Sequence, residues 1–257
     1  MFIVDKISNI EINTLRKCYI SYVGLDPKKN TIQQALDFSK TLSNRTPNGL
    51  VLPKSGSEAS FLRMQKKFYE IIFKKKILSY LKLQNCLVHF PASIRIASDN
   101  SKRNYDSRIP HFDQWVGEPN GLLILSLNLY QEKDGACLQI LNSSNIKTAY
   151  DKKLKKFKKL NIKIKPLKTQ NIGEVILMKD CYHRTFGGFG RRLSFEARFI
   201  PSTFNFGIKK NSIQSKLAGY FPIHFIDMIK EENLKFINSK NNFSKRLYPV
   251  DFQLTFK

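Results

Sequence analysis

The apolar positions along the chain change their period near residue 86. Before it the spacing is helical. "NTIQQALDFSKTLS" sets Ile32, Ala35, Leu36 and Phe38 along one side of a helix that opens after Asn30. "EASFLRMQKKFYEIIFKKKILSYL" carries Phe61, Leu62, Met64, Phe68, Ile71, Ile72, Leu78 and Tyr80 at helical spacing with lysines opposite. This predicts one long amphipathic helix whose aromatic stripe faces the core. Between the two, "SNRTPNGLVLPKSGS" reads as loop, punctuated by Pro and Gly.

From residue 86 to about 200 the runs shorten and become β-rich: "CLVHF", "SIRIA", "GLLILSLNLY", "ACLQIL", "IKIK", "GEVILM" and "RLSFEARFI". Asp134-Gly135 reads as a hairpin turn, and Gly173-Glu174 as a turn that launches a strand. Strands at this spacing predict an antiparallel sandwich or barrel, with jelly rolls among the candidates. The insertion "YDKKLKKFKKLNIKIK" sets Leu154, Phe157 and Leu160 at helical spacing, as a solvated amphipathic turn on the sheet edge or as an anion-binding face. In the last part, "IQSKLAGYFPIHFIDMIKEENLKFI" predicts helix in two pieces broken near Pro222. The chain is therefore read as a single domain over 1–257, with a helical part (1–85), a β core (86–200) and a C-terminal extension (201–257).

Composition adds sign to this picture. A hydrophobic fraction of 42 %, with 20 Phe and 10 Tyr, supports a folded globule. The net charge of +24, from 44 Lys+Arg against 20 Asp+Glu, attracts anions such as nucleic acid, anionic membrane or acidic small molecules. It is equally what a Lys-, Ile- and Asn-rich composition bias produces. Cys18, Cys86, Cys137 and Cys181 form no C-x-x-C pair and read as reduced thiols in or near the core of a cytoplasmic protein. The N-terminus does not read as a signal peptide, and no run reaches the length of a membrane span.

Candidate chemistry begins at "RIPHFDQWVGEP". In extended backbone, residues i and i+2 project to one side, so His111 and Asp113 would present an imidazole and a carboxylate to one point. A second imidazole, His183, follows the strand in "GEVILMKDCYHRTFGG". Two imidazoles and a carboxylate on one face of a metal, with the other positions open, form the site of non-haem Fe(II) oxygenases. Further on, "RRLSFEARF" alternates, so that Arg192, Ser194, Glu196 and Arg198 share one face if the apolar positions share the other. A guanidinium and a hydroxyl on one strand face suit a carboxylate ligand.

The order H-F-D at 111–113, G-E-V-I-L at 173–177, His183, then R-L-S at 192–194 resembles the Fe(II)/2-oxoglutarate-dependent dioxygenase superfamily, over roughly residues 86–200. The resemblance implies a mainly β fold, a double-stranded β-helix (jelly roll) flanked here by N- and C-terminal helices. It implies His111, Asp113 and His183 as iron ligands. It implies Arg192 on the distal carboxylate of 2-oxoglutarate with Ser194 assisting; Arg198, and after it Arg191, are rivals for that role. The cofactors implied are Fe(II), 2-oxoglutarate and O2, with succinate and CO2 released as a small, sugar- or carrier-linked metabolite is hydroxylated. "HRTFGGFGRRLSFEARFIP" is more loosely similar to phytanoyl-type hydroxylases and to members acting in sugar or aminoglycoside tailoring.

Several residues keep two readings. Trp115 is a substrate lid or plain packing. Arg95, alternating with Ile94 and Ile96, is a surface or ion-paired Arg, or an inward cation for the co-substrate or an acidic substrate. Tyr182 and Arg184 are expected to face away from the site, and His89 and His224 to be structural. Gly187, Gly188 and Gly190 read as a loop and not as a phosphate cradle, since no helix start follows them. Three alternatives to the small-molecule oxygenase stand: a nucleic-acid-directed oxygenase of the alkylated-base demethylase type, a non-catalytic basic nucleic-acid-binding protein, and a cupin-like metal protein. The last would carry more histidines than the four present.

Overall fold

The change of period at residue 86 is where helices give way to sheet. The computed structural model describes every residue except 42–49, 52–55, 84, 98–109, 114–120, 144–149, 152–155, 158–164, 187–189, 202–219, 224–225, 227–233, 238–245 and 250–257. In chain order the helical part holds β1 (Phe2–Lys6), α1 (Asn9–Tyr22), α2 (Ile32–Thr41), β2 (Leu50–Val51), α3 (Glu58–Phe73) and α4 (Lys76–Leu83). The core follows with β3 (Cys86–His89), β4 (Ser93–Ala97), β5 (Leu123–Gln131), β6 (Cys137–Leu141), β7 (Tyr150–Asp151), β8 (Lys156–Phe157), β9 (Pro166–Thr169), β10 (Glu174–Lys179), β11 (His183–Phe186) and β12 (Arg192–Pro201). Then come β13 (Tyr220–Pro222), β14 (Leu234–Ile237) and β15 (Arg246–Pro249).

Two antiparallel sheets organise the core. The larger has eight strands in the order β1-β10-β5-β12-β3-β13, with β4 also paired to β12 and β2 to β4. The smaller runs β11-β6-β9, and a bridge from His111 to His183 extends it by one position. Consecutive core strands therefore divide between sheets: β4, β5, β10 and β12 lie in the large one, and β6, β9 and β11 in the small one. Asp134-Gly135 does form a turn, with the Gly135 N–H donating to the Glu132 carbonyl at 2.8 Å. It is not a hairpin, because β5 and β6 pair with different partners and the turn passes between sheets.

The large sheet has two faces of different character. On one, Leu125, Leu127, Val175, Leu177, Leu193, Phe195 and Phe199 pack with Leu15, Tyr19, Phe61, Met64 and Phe68 from the helices in the main core. On the other, Ile124, Ile176, Met178 and Ile200 meet Leu138 and Ile140 of the small sheet. Ser126 and Asn128 interrupt the leucines of β5 because they point to this second, inter-sheet side.

The α2 helix forms over Ile32–Thr41 with Ala35 and Leu36 buried as expected, but Phe38 is 40 % exposed and Ser39 takes an inward position in its place. The long helix is two, with a break at residues 74–75. The restart shifts the phase, so Ile77 and Leu81 take the buried positions in place of Leu78 and Tyr80. Glu11 and Ser8 form a capping box at the start of α1, with Ser8 N–H donating to Glu11 Oε2 at 2.7 Å and Glu11 N–H to Ser8 Oγ at 3.2 Å. Gly173 adopts φ +79°, and a Cβ there would lie 2.6 Å from Ile12 Cδ1, so the turn into β10 needs glycine.

Three expectations are corrected. The N-terminal part also contains a strand: β1 pairs along β10 from Phe2↔Met178 to Lys6↔Glu174. In the lysine-rich insertion Leu154 and Leu160 lie outside the described residues, while Phe157 and Lys156 form a β pair with Tyr150 and Asp151 in place of the expected helical spacing. The C-terminal flank, expected as helices, is strand wherever an element is described. Tyr220–Pro222 joins the large sheet beside β3, and Leu234–Ile237 pairs with Arg246–Pro249. Pro222 sits at the end of an edge strand, where a missing N–H is tolerated. All four cysteines are free, and Cys86, Cys137 and Cys181 are buried. Among the described residues no helix is long and apolar enough to cross a membrane.

Candidate metal centre

His183 opens β11, and its backbone is hydrogen-bonded reciprocally to His111, N–H to carbonyl at 2.9 Å in both directions. Residues paired in this way present side chains to the same face of a sheet. The two imidazoles accordingly sit together, ring centroids 4.5 Å apart and inclined by 56°. Asp113, two residues beyond His111, brings a carboxylate to the same point, its Oδ2 3.7 Å from His183 Nε2. One ligand atom from each of His111, Asp113 and His183 lies within 4.8 Å of the others.

The surroundings prepare these groups to bind a cation. Both histidines are buried and Asp113 is half-buried. His183 Nδ1 lies 3.0 Å from the Cys181 carbonyl, which can only accept, so Nδ1 donates there and Nε2 is the nitrogen turned towards Asp113. Two imidazole nitrogens and one carboxylate oxygen suit a first-row divalent ion such as iron(II). Among the described residues this is the group of three such side chains placed to hold a metal.

The inner face of β12 lies within electrostatic reach of this group. Arg192 and Ser194 are fully buried, and Ser194 Oγ has no hydrogen-bond partner among the described residues. Ser194 stands in register between Arg95 on β4 and Asn128 on β5. Arg95 Nε and Asn128 Oδ1 are likewise buried without a hydrogen-bond partner. The orientation of Asn128 is fixed by its neighbours. Gln131 Nε2 donates to the Gly135 carbonyl at 3.0 Å, so its Oε1 accepts from Asn128 Nδ2 at 3.0 Å, and Oδ1 is left over. Unsatisfied polar atoms on three adjacent strands mark a place built for a polar ligand.

Glu196 was placed on this face by the alternation but given no role. It ion-pairs with Arg95, Nη2 to Oε2 at 3.0 Å. Burial opposes its charge, yet Arg95, Arg192, Arg198 and His183 together hold its carboxyl below the usual range. The signal for it is an acid at the third of four inward positions, between Ser194 and Arg198 and with Arg192 opening the strand.

Other expected positions resolve differently. Arg191 is engaged by two carboxylates, Asp37 Oδ1 at 2.7 Å and Glu132 Oε1 at 2.6 Å, and so ties α2 to the end of β5. Burial works against the Glu132 charge, but side-chain and backbone hydrogen bonds from Arg191 and one from Gln33 outweigh it and bring its carboxyl to about 2. Arg198 is half-buried, opposite Ile124. Arg184 lies on the opposite face of β11 from His183, bonded to Gln139 Oε1 at 2.9 Å and stacked over Phe186 at 4.0 Å. Tyr182 packs against Phe112 at 5.2 Å. His89 bonds the Pro91 carbonyl at 3.1 Å through Nδ1 and meets the Tyr220 ring, a structural placement. Gly190 bridges to Gly135. Trp115, Gly187, Gly188 and His224 lie outside the described residues.

No family model matches the chain, and no curated protein matches it. Among solved structures it is similar to the non-haem alpha-ketoglutarate-dependent epimerase SnoN from nogalamycin biosynthesis, at 12 % identity, TM-score 0.44, over 79 % of this chain and 78 % of that one. It is also similar to HygX from Streptomyces hygroscopicus with nickel and 2-oxoglutarate bound, at 10 % identity, TM-score 0.43, over 80 % of this chain and 84 % of that one.

Proposed function

We propose that this protein is an Fe(II)- and 2-oxoglutarate-dependent oxygenase that modifies a small organic molecule. The observation that carries this reading is the convergence of His111, Asp113 and His183, with ligand atoms within 4.8 Å of one another. The division of strands supports reading the two sheets as the halves of a double-stranded β-helix: β4, β12, β5 and β10 adjoin in one, and the His111 position, β11, β6 and β9 adjoin in the other.

In this reading His111, Asp113 and His183 hold the iron, while Arg192 and Ser194 take the distal carboxylate of 2-oxoglutarate. The bound metal and co-substrate supply the oxidation of a C–H bond, with release of succinate and CO2. The chain's own residues supply the geometry. The reciprocal backbone bonds fix the spacing of the two imidazoles, and the Cys181 carbonyl fixes the proton of one of them. Arg192, 1 % exposed, offers a carboxylate a charged fork shielded from water, where the pairing is stronger than at the surface. Ser194 Oγ gains there a partner that it lacks among the described residues.

Anaerobic addition of Fe(II) and 2-oxoglutarate is expected to produce a weak visible charge-transfer band, and His183→Ala to abolish it while far-UV circular dichroism stays unchanged. A His183→Ala protein that binds both as well as the parent removes the assignment. The net charge of +24 favours the nucleic-acid-directed alternative. Single-stranded DNA binding that falls steeply across a salt series would support it over the small-molecule reading, and negligible binding at low salt would remove it.

A further inference from the structure

The inner face of the large sheet carries a second guanidinium that a single co-substrate carboxylate does not occupy. Arg95 lies on β4, in register with Ser194, on the strand next to the one that bears Arg192. Its Nη2 is 3.0 Å from Glu196 Oε2. Its Nε is buried and has no hydrogen-bond partner among the described residues. A guanidinium offers donors along more than one edge, and Glu196 uses one donor only. The two side chains are 22 % and 18 % exposed, so the pair is neither sealed in a core nor free in solvent. Buried or half-buried ion pairs seldom stabilise a fold more than apolar residues of the same size would. Glu196 also lies in the field of His183 and Arg192, which places the pair beside both the metal ligands and the proposed co-substrate site.

We propose that Arg95, oriented by Glu196, is the anchor for an anionic group of the organic substrate, a carboxylate or a phosphate, received on the Nε edge. The proposal rests on the oxygenase reading and adds to it a substrate class: a molecule with an acidic group, held so that its reacting carbon lies at the metal face. Arg192 and Arg95 thus serve two different oxyanions on neighbouring strands.

The test uses the full chain loaded with Ni(II) and 2-oxoglutarate, which does not turn over, and titrates inorganic phosphate and acetate by calorimetry at constant ionic strength. Arg95→Gln is expected to weaken anion binding at least about tenfold, the loss of a charge-assisted bidentate contact, while 2-oxoglutarate affinity stays within about twofold. Glu196→Gln removes the internal carboxylate that competes for the guanidinium, and is expected to strengthen anion binding several-fold. Lys82→Gln, an exposed position on α4, should change nothing. Whichever of phosphate and acetate binds more tightly identifies the acidic group. The proposal is overturned if the wild type binds neither anion, if Arg95→Gln binds them unchanged, or if Arg95→Gln loses 2-oxoglutarate as Arg192→Gln does. Should Arg95→Gln fail to fold, Glu196→Gln decides, and an unchanged affinity there overturns the proposal. A wild type that takes up no Ni(II) or 2-oxoglutarate removes the oxygenase reading alone. The same titrations on metal-free protein then still show whether Arg95 receives an anion.

Discussion

Along β12 the side chains alternate between two environments. Leu193, Phe195, Ala197 and Phe199 enter the main core beneath the helices, among predominantly apolar, buried side chains. Arg192, Ser194, Glu196 and Arg198 point the other way, towards the small sheet and the histidines. The first set gains its free energy from water exclusion and dispersion, about 25 cal/mol per Å² of apolar surface buried. The second holds, among the described residues, a hydroxyl with no hydrogen-bond partner, a half-buried ion pair, and guanidiniums around the Glu196 carboxylate. One strand thus supplies stability on one side and ligand-binding capacity on the other. The unsatisfied atoms are tolerated because the helix-covered face holds the sheet in place.

This contrast can be broken from either side. The largest effect on stability is expected on the outer face. Phe195 is fully buried and stacks on Phe68 at 4.9 Å, so Phe195→Ala should cost about 3–5 kcal/mol in denaturant unfolding. The clamp between the faces comes next. Glu132 is held ionised to about 2, well below its unfolded value, so the stability it contributes is complete above the ordinary carboxylate range and is lost as the pH falls towards 2. Glu132→Gln should remove on the order of 2 kcal/mol at neutral pH and flatten the acid limb of the stability curve below about pH 5. Ser8→Ala, which deletes the capping box of α1, should cost about 1 kcal/mol in the same unfolding experiment. Ser194→Ala on the inner face should shift stability by no more than about 0.5 kcal/mol, because the hydroxyl has no hydrogen-bond partner among the described residues. It should instead weaken 2-oxoglutarate binding by about tenfold, measured by titration of the charge-transfer band. A Ser194→Ala protein as destabilised as Phe195→Ala would erase the distinction between the faces.

The parts of the structure that could be read from the chain are those with strong local contrast. β12 was legible because its inward and outward residues differ in charge, and α2 because its apolar positions recur at helical spacing. The triplet of His111, Asp113 and His183 was legible as a candidate through its spacing and its resemblance to a known pattern. The break between α3 and α4 was not, since no Pro or Gly marks residues 74–75 and the run Lys74-Lys75-Lys76 reads equally well as the solvated side of one continuing helix. Nor was β1, a short strand whose existence depends on the free edge of β10 more than 170 positions away. The C-terminal segment around Pro222 follows the same rule: its helical pattern gave way to pairing with β3.

The amino-acid order by itself determined which residues alternate, where the period changes, and which side chains carry chemistry, because these depend on neighbours a few positions apart. Only the tertiary structure decided which sheet each strand joined, that the backbones of His111 and His183 would pair, and that Arg95 would meet Glu196 while its buried Nε has no hydrogen-bond partner among the described residues. Those outcomes are set by contacts between distant segments, where burial and register select one pairing among many that local propensity allows equally.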